Sequence, residues 1–352
     1  MTAKGGTEHL VHTLRSQGRF CSASDSPMYA ELLERVAADV EAGGVFATIL
    51  SGHEDDPSRQ AVPLRLLGGL HRLVLDGGAP ALRRWYPSTG GAWDAEAAWP
   101  EITQTAANQT ALLRAALDQP PQTNEVGRSA ALIGGLLILT HQFDLPVRLF
   151  EIGSSAGLNL RADQYHYRYA GGRWGPADSA VTIDNAWLGE LPPATTVRIT
   201  ERHGYDIAPI DAATREGELT LLSYVWPDMT ARLNRLRGAI AVARQIPARL
   251  ERRAAADAVA GLTLADGAWT VLWHSITWQY LSADERSAIR DAVNALAAHG
   301  DARSPLAHLT LEPARDGPGS ALRFLVRARI WPGGQKQILA ECHPHGPPVN
   351  WQ

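Results

Sequence analysis

The stretch Glu151-Ile-Gly153-Ser154-Ser-Ala-Gly157 has the residue types and spacing of a ligand-holding turn. It continues Val147-Arg-Leu-Phe-Glu-Ile, a short β-favouring run, and a helix pattern is expected from about Ala156. Glycine at a strand end lets the backbone approach a ligand, and the amides that open a helix point outward. Packing a helix tightly on a strand needs the same glycines, so both roles stand open for Gly153 and Gly157.

Acidic and imidazole side chains follow at other expected strand ends. Gly204-Tyr-Asp206 looks like one such end, Asp257 lies past another, and Trp273-His274-Ser275 closes a third. In an open α/β sheet, ligands bind beyond the carboxyl ends of the strands, so these side chains converge on the crevice at the glycine turn. A carboxylate there can accept both hydroxyls of a ribose or an exocyclic amine. His274 is a candidate general base. Ser275 lies outside any Gly-x-Ser-x-Gly elbow, which argues against a hydrolase nucleophile. Gln279 and Tyr280 are candidate substrate contacts. Glu312, ending the next strand, either orients an amine or His274, or is a core-edge carboxylate.

Two further groups carry a functional and a structural reading each. Asn124, Glu125 and Arg128 open a helix, as a cap with an i, i+3 ion pair or as substrate ligands, Arg128 for an anion and Glu125 for an amine. Trp226-Pro-Asp228 is good helix-start chemistry, Trp226 and Tyr224 can equally wall a substrate pocket, and Asp228 is a candidate substrate contact. Cys342, His343 and His345 are too sparse a donor set for a metal, so none is expected. Tyr165, His166, Tyr167 and Tyr169 read first as packing.

The elements that must position these residues fall into two regions. Residues 1-145 read as an all-α domain. Its helices span Pro27 to Ala42, Val62 to Leu75, Trp93 to Leu117 and Asn124 to Phe143. Residues 146-352 alternate strands with helices, which indicates a mainly parallel sheet. Strands are expected at Val147 to Ile152, Val197 to Thr200, Ala248 to Ala255, Trp269 to Trp273, Leu306 to Glu312, Leu322 to Ile330 and Gln337 to Glu341. Gly204-Tyr-Asp-Ile extends the second of these or forms the turn beyond it. Glu216 to Ile240 reads as a helix interrupted near Pro227, and Ala283 to Ala298 as another helix. Pro332-Gly-Gly joins the last two strands as an antiparallel hairpin. An insertion rich in Tyr, Trp and Gly occupies about 165-195.

Composition narrows the function classes. The chain has 352 residues, 45% hydrophobic and 20% charged, enough for two domains of a globular protein. A net charge of −4 argues against a nucleic-acid partner. The two cysteines exclude a disulfide framework, and the longest apolar run, Ala130 to Thr140, is too short to span a bilayer. The N-terminus, Met-Thr-Ala-Lys-Gly-Gly-Thr-Glu, lacks the apolar core of a signal peptide, so a cytoplasmic location is expected.

From about residue 145 onward the chain resembles the class I S-adenosylmethionine-dependent methyltransferase superfamily. It also resembles a bacterial family of unassigned function that joins such a domain to N-terminal helices. The second resemblance rests on Gln122-Thr-Asn-Glu-Val-Gly-Arg128, Glu151 to Leu160, Leu222-Ser-Tyr-Val-Trp-Pro-Asp228 and Trp273 to Leu281. The resemblance implies a Rossmann-like fold that holds S-adenosylmethionine, with Glu151, Gly153, Ser154 and Gly157 around its methionine part. It further implies Asp206 on the ribose, with Glu201 as the rival, Asp257 on the adenine and His274 beside the substrate. Methyl transfer to a small molecule in bacterial secondary metabolism is the leading expectation, with His274 or Glu125 as base. A cofactor-free displacement on the same fold, in which an amine expels sulfate or a similar group, is the second. A non-catalytic partner subunit of a biosynthetic complex is the third.

Overall fold

The computed structural model describes residues 3–317 and 319–352; Met1 and Thr2, part of the stretch read above for a leader, lie outside them. Helices open the chain: α1 (Ala3–Ala23), α2 (Pro27–Glu41), α3 (Val45–Ile49), α4 (Val62–Asp76), α5 (Ala95–Asn108), α6 (Thr110–Leu117) and α7 (Ser129–Gln142). Then come β1 (Val147–Ile152), β2 (His166–Tyr169), β3 (Gly172–Trp174), β4 (Thr182–Ile183), β5 (Trp187–Gly189) and β6 (Ile199–Asp206). They are followed by α8 (Arg215–Ser223), α9 (Thr230–Gln245), β7 (Arg249–Arg252), α10 (Ala255–Ala260), β8 (Trp269–Ser275) and α11 (Ala283–Ala297). The chain closes with β9 (Leu306–Ala314), β10 (Arg323–Trp331), β11 (Gln335–His343) and β12 (Gly346–Trp351).

Two compact units result. One comprises Met1–Thr123 with Thr214–Asn234, the other Asn124–Ala213 with Arg235–Gln352. The sheet unit therefore begins at Asn124, upstream of the boundary expected at 145, and takes in α7. That helix is apolar around its whole circumference and almost every residue is buried, as a helix lying on a sheet requires.

The helical unit is built on amphipathic stripes. Leu10, Val11, Leu14 and Cys21 of α1 join the core formed by Leu32, Leu33 and Val36 of α2 and Leu66, Leu67 and Leu70 of α4. Helix α1 was not expected, because Gly5, Gly6 and Gly18 depress its propensity; the buried stripe holds it instead. The helix expected from Trp93 to Leu117 is two helices, parted at Gln109.

In the sheet unit nine strands lie in the order β5-β12-β11-β10-β9-β8-β1-β6-β7. Strands β7, β6, β1, β8 and β9 run parallel, and β9 to β12 form an antiparallel succession. The fold is thus mixed α/β, with a mostly parallel sheet and antiparallel C-terminal strands. The chain builds from β1 towards β7, then returns to β8 on the other flank of β1, which puts a topological switch point between the carboxyl ends of β1 and β8. The segment between β1 and β6 folds as a three-stranded sheet, β3-β2-β4, and then contributes β5 to the far edge of the main sheet. β12 escaped sequence reading because Pro347-Pro348 removes two ladder donors; Val349 and Trp351 are buried nonetheless.

One local expectation fails. No α-helix follows the glycine turn; residues Leu158–Gln164 form a 3-10 segment kinked at Arg161. The Leu158 amide donates to Asn124 Oδ1 at 2.8 Å, and the Arg161 guanidinium donates to the Gly157 carbonyl at 2.7 Å. Side chains thus take up the Leu158 amide, which a helix start would leave open, and the Gly157 carbonyl, which an α-helix would pair within itself.

Candidate functional site

At the turn after β1, Gly153, Ser155 and Gly157 all have left-handed backbones, with φ of +66°, +50° and +62°. Alternating conformations of this kind aim successive amides at one point, a concavity suited to an anion. Here the protein supplies the anion. The Ser155 amide donates to Asp206 Oδ2 at 2.8 Å, and the Ala208 amide to Asp206 Oδ1 at 2.8 Å. The glycines answer to packing as well. A Cβ on Gly153 would lie 2.5 Å from Thr277 Oγ1, and one on Gly157 would lie 2.6 Å from Leu250 Cδ2.

A polar floor lies beneath this turn. Trp273, Glu151 and Gly204 are register partners across β8, β1 and β6, so they face the same side of the sheet. The Ser154 hydroxyl occupies the space above Gly204, 2.6 Å from where its Cβ would be. Glu151 is 2% exposed, and burial pushes its carboxyl up to about 8. Asn159, the positive charges of Arg128 and Arg161, and the Trp273 indole oppose that shift only in part. Burial thus favours the protonated carboxyl. Glu151 Oε2, Ser154 Oγ, Ser155 Oγ and Trp273 Nε1 are buried and have no hydrogen-bond partner among the described residues. Four such atoms around one turn are unusual, because buried polar groups are nearly always paired.

Asn124, Glu125 and Arg128 lie in the same unit. Asn124 does not cap its own helix but serves Leu158; Glu125 caps the short turn instead, accepting from the Gly127 amide at 3.1 Å. Glu125 is buried, with His345 Nδ1 3.2 Å and Arg235 4.0 Å from its oxygens. Arg128 reaches the carbonyls of Pro344 at 2.9 Å and Ser275 at 3.3 Å, which holds its charge at the carboxyl end of β8. The Ser129 hydroxyl donates to Asn159 Oδ1 at 2.7 Å, fixing that amide.

His274 alternates with Trp273 and so faces the other side of the sheet, towards α10 and α11. The structure brings it to Glu312, with Nδ1 2.6 Å from Oε1, and Nε2 lies 3.0 Å from Nε2 of His308. Both ring nitrogens thus face protein partners, and Trp278 stacks on the ring at 5.1 Å. Burial, His274 and Arg329 push His308 down to about 3, which keeps it neutral. Glu312 Oε1 also accepts from the amides of Thr277 at 3.0 Å and Trp278 at 3.2 Å. Those bonds fasten Ile276, a β-branched residue at φ +52°, a costly conformation.

Of the remaining candidates, Trp226, Asp228 and Glu201 have partners of their own. Trp226 and Asp228 belong to the helical unit. There Trp226 packs edge-on to Phe20 at 6.2 Å, and Asp228 accepts from Ser26 Oγ at 2.7 Å and the Met28 amide at 3.0 Å. Asp228 thus caps the start of α2 from a distant part of the chain. Asp257 is exposed in the first turn of α10, and Gln279 and Tyr280 are exposed beyond β8. Glu201 pairs with Arg148 at 2.6 Å. Sequence reading missed Asn159, Arg161, Trp273 and His308. Trp273 and Asn159 lie inside the quoted motifs, which is the one signal that was available.

A family model described as "Uncharacterized protein conserved in bacteria (DUF2332)" matches residues 11–351. The chain belongs to that bacterial family. No curated protein and no solved structure matches it. No helix among the described residues is long and apolar enough to cross a membrane. Among the same residues no group of three or more His, Cys, Asp or Glu side chains is placed to hold a metal ion.

Three features of the glycine turn bear on S-adenosylmethionine. Each oxygen of Asp206 accepts one backbone amide, which leaves one acceptor site per oxygen for a ribose hydroxyl. A side chain on Gly153 would meet Thr277, and no α-helix presents its amino end after the turn.

Proposed function

We propose that the protein is a small-molecule-modifying enzyme that works by acid-assisted displacement, with Glu151 as the acid. One observation carries this reading: a buried carboxyl with an unpartnered oxygen stands next to the carboxyl end of β1, beside the topological switch point. Desolvation supports it by keeping the proton on Glu151 to about 8, the property a general acid needs near neutrality. In such a step a nucleophile forms a bond to carbon while the bond to the leaving group breaks. Glu151 gives its proton to the departing group and regains one from the nucleophile. Arg128 lends positive charge at the strand end.

Methyl transfer is the second reading, favoured by the strand order, which sets Asp206 at the end of the neighbour of β1. One experiment separates the two. Bacterial metabolite extracts are incubated with wild-type protein and with Glu151→Gln, without added cofactor, and consumption is followed by mass spectrometry. Depletion of a metabolite by the wild type alone supports the acid. Depletion that requires added S-adenosylmethionine overturns the cofactor-free reading, and equal depletion by Glu151→Gln overturns the role of Glu151.

A further inference from the structure

We infer that the floor around Glu151 is a binding site for a small oxyanion, the carboxylate or sulfate end of a ligand, held by Trp273 and Ser154. The inference rests on the reading of Glu151 as the reaction centre and names what binds there.

The argument begins with the unpartnered atoms. Trp273 Nε1 can only donate, and Trp273 is 0% exposed. The Ser154 hydroxyl is also buried and unpartnered, and a hydroxyl hydrogen rotates to suit an acceptor. Leaving each of these groups unmade costs free energy in the empty protein, and a ligand that offers acceptors recovers it. Charge points the same way. Arg128 and Arg161 act on Glu151 as positive neighbours, and burial favours its neutral form, which adds less repulsion than a carboxylate. Its proton makes the carboxyl a further donor. The nearby carboxylate at Asp206 is already met by two amides. Donors on several sides and positive charge without a free negative group describe an oxyanion site.

Glu151 and Trp273 are adjacent across β1 and β8, and Ser154 stands over the register partner on β6, so the donors span three neighbouring strands. That span suits one small anionic group rather than an extended chain.

The test is thermal unfolding of the full chain at pH 7 in sodium acetate or sodium sulfate, with ionic strength matched by sodium chloride. The expected result is a saturable rise in Tm beyond that in chloride, from acetate if the ligand end is a carboxylate and from sulfate if it is a sulfate ester. Trp273→Phe and Ser154→Ala should reduce that rise at least several-fold. Ser154→Ala deletes only a hydroxyl and decides the matter where Trp273→Phe does not fold. A wild type that follows chloride alone overturns the inference, as do variants that respond like the wild type. Glu151→Gln keeps a donor at the same place and should retain most of the response. A retained anion response with unchanged metabolite depletion in Glu151→Gln therefore sinks the acid role and leaves the anion site standing.

Discussion

The backbone amide of Ser155 donates to the carboxylate of Asp206 at 2.8 Å, joining the turn after β1 to the end of β6. Because Ser155 is left-handed, that bond helps hold a strained backbone. Asp206→Ala strands two amides, of Ser155 and Ala208, and should destabilise the sheet unit by about 1–3 kcal/mol in urea unfolding. Asp206→Asn keeps one acceptor and should cost less. A stability-neutral Asp206→Ala that instead abolished binding of S-adenosylmethionine in calorimetry would revive the ribose role.

Glu151 makes stability depend on pH in a set direction. Its carboxyl titrates at about 8 in the folded chain against an ordinary 4.5, so the folded state holds the proton more tightly. Stability should therefore fall as pH rises through that window, by at most about 1.4 kcal/mol per pH unit. Glu151→Gln should remove this slope and raise Tm at pH 8, measured against wild type at matched salt.

His308 acts in the opposite sense. It stays neutral down to about 3 when folded, whereas the unfolded chain takes up the proton near 6.5. Stability is then lost as pH falls below 6.5. His308→Gln should flatten that acid limb of the Tm profile if the variant folds, while leaving the limb governed by Glu151 in place.

Glu312→Ala removes the acceptor shared by His274, Thr277 and Trp278. The expected cost is about 2–4 kcal/mol, because three buried donors lose a charge-assisted partner. Amide hydrogen exchange at residues 275–278 should rise most. Uniform protection across that turn would show that Glu312 does not hold the Ile276 conformation.

Trp226→Ala should cost about 3–5 kcal/mol as a truncation in a packed core, read from urea unfolding. Asp228→Ala should cost about 1–2 kcal/mol through the lost cap on α2. If both variants keep wild-type stability but lose metabolite depletion, the pocket-wall reading of Trp226-Pro-Asp228 returns.

Patterns of short range were legible from residue types. The helix period of Val62 to Leu75, the β-run at Val147 and the Pro332-Gly-Gly turn each state their own structure, because local backbone preferences and one buried face suffice. The carboxyl edge of the sheet was legible as well, since strand-helix alternation implies it. What the side chains do there was not. Asp206 meets the Ser155 amide because Ser155 is left-handed, and His274 turns from Glu151 because neighbours along a strand face opposite sides. Asn159 and Arg161 reach Glu151 only because the segment after Gly157 kinks instead of forming a helix. By itself the sequence determined the class of fold and which residues stand near the carboxyl edge of the sheet. Only the tertiary structure decided which polar atoms are satisfied within the chain and which are left waiting, because that depends on partners far apart in sequence and on burial.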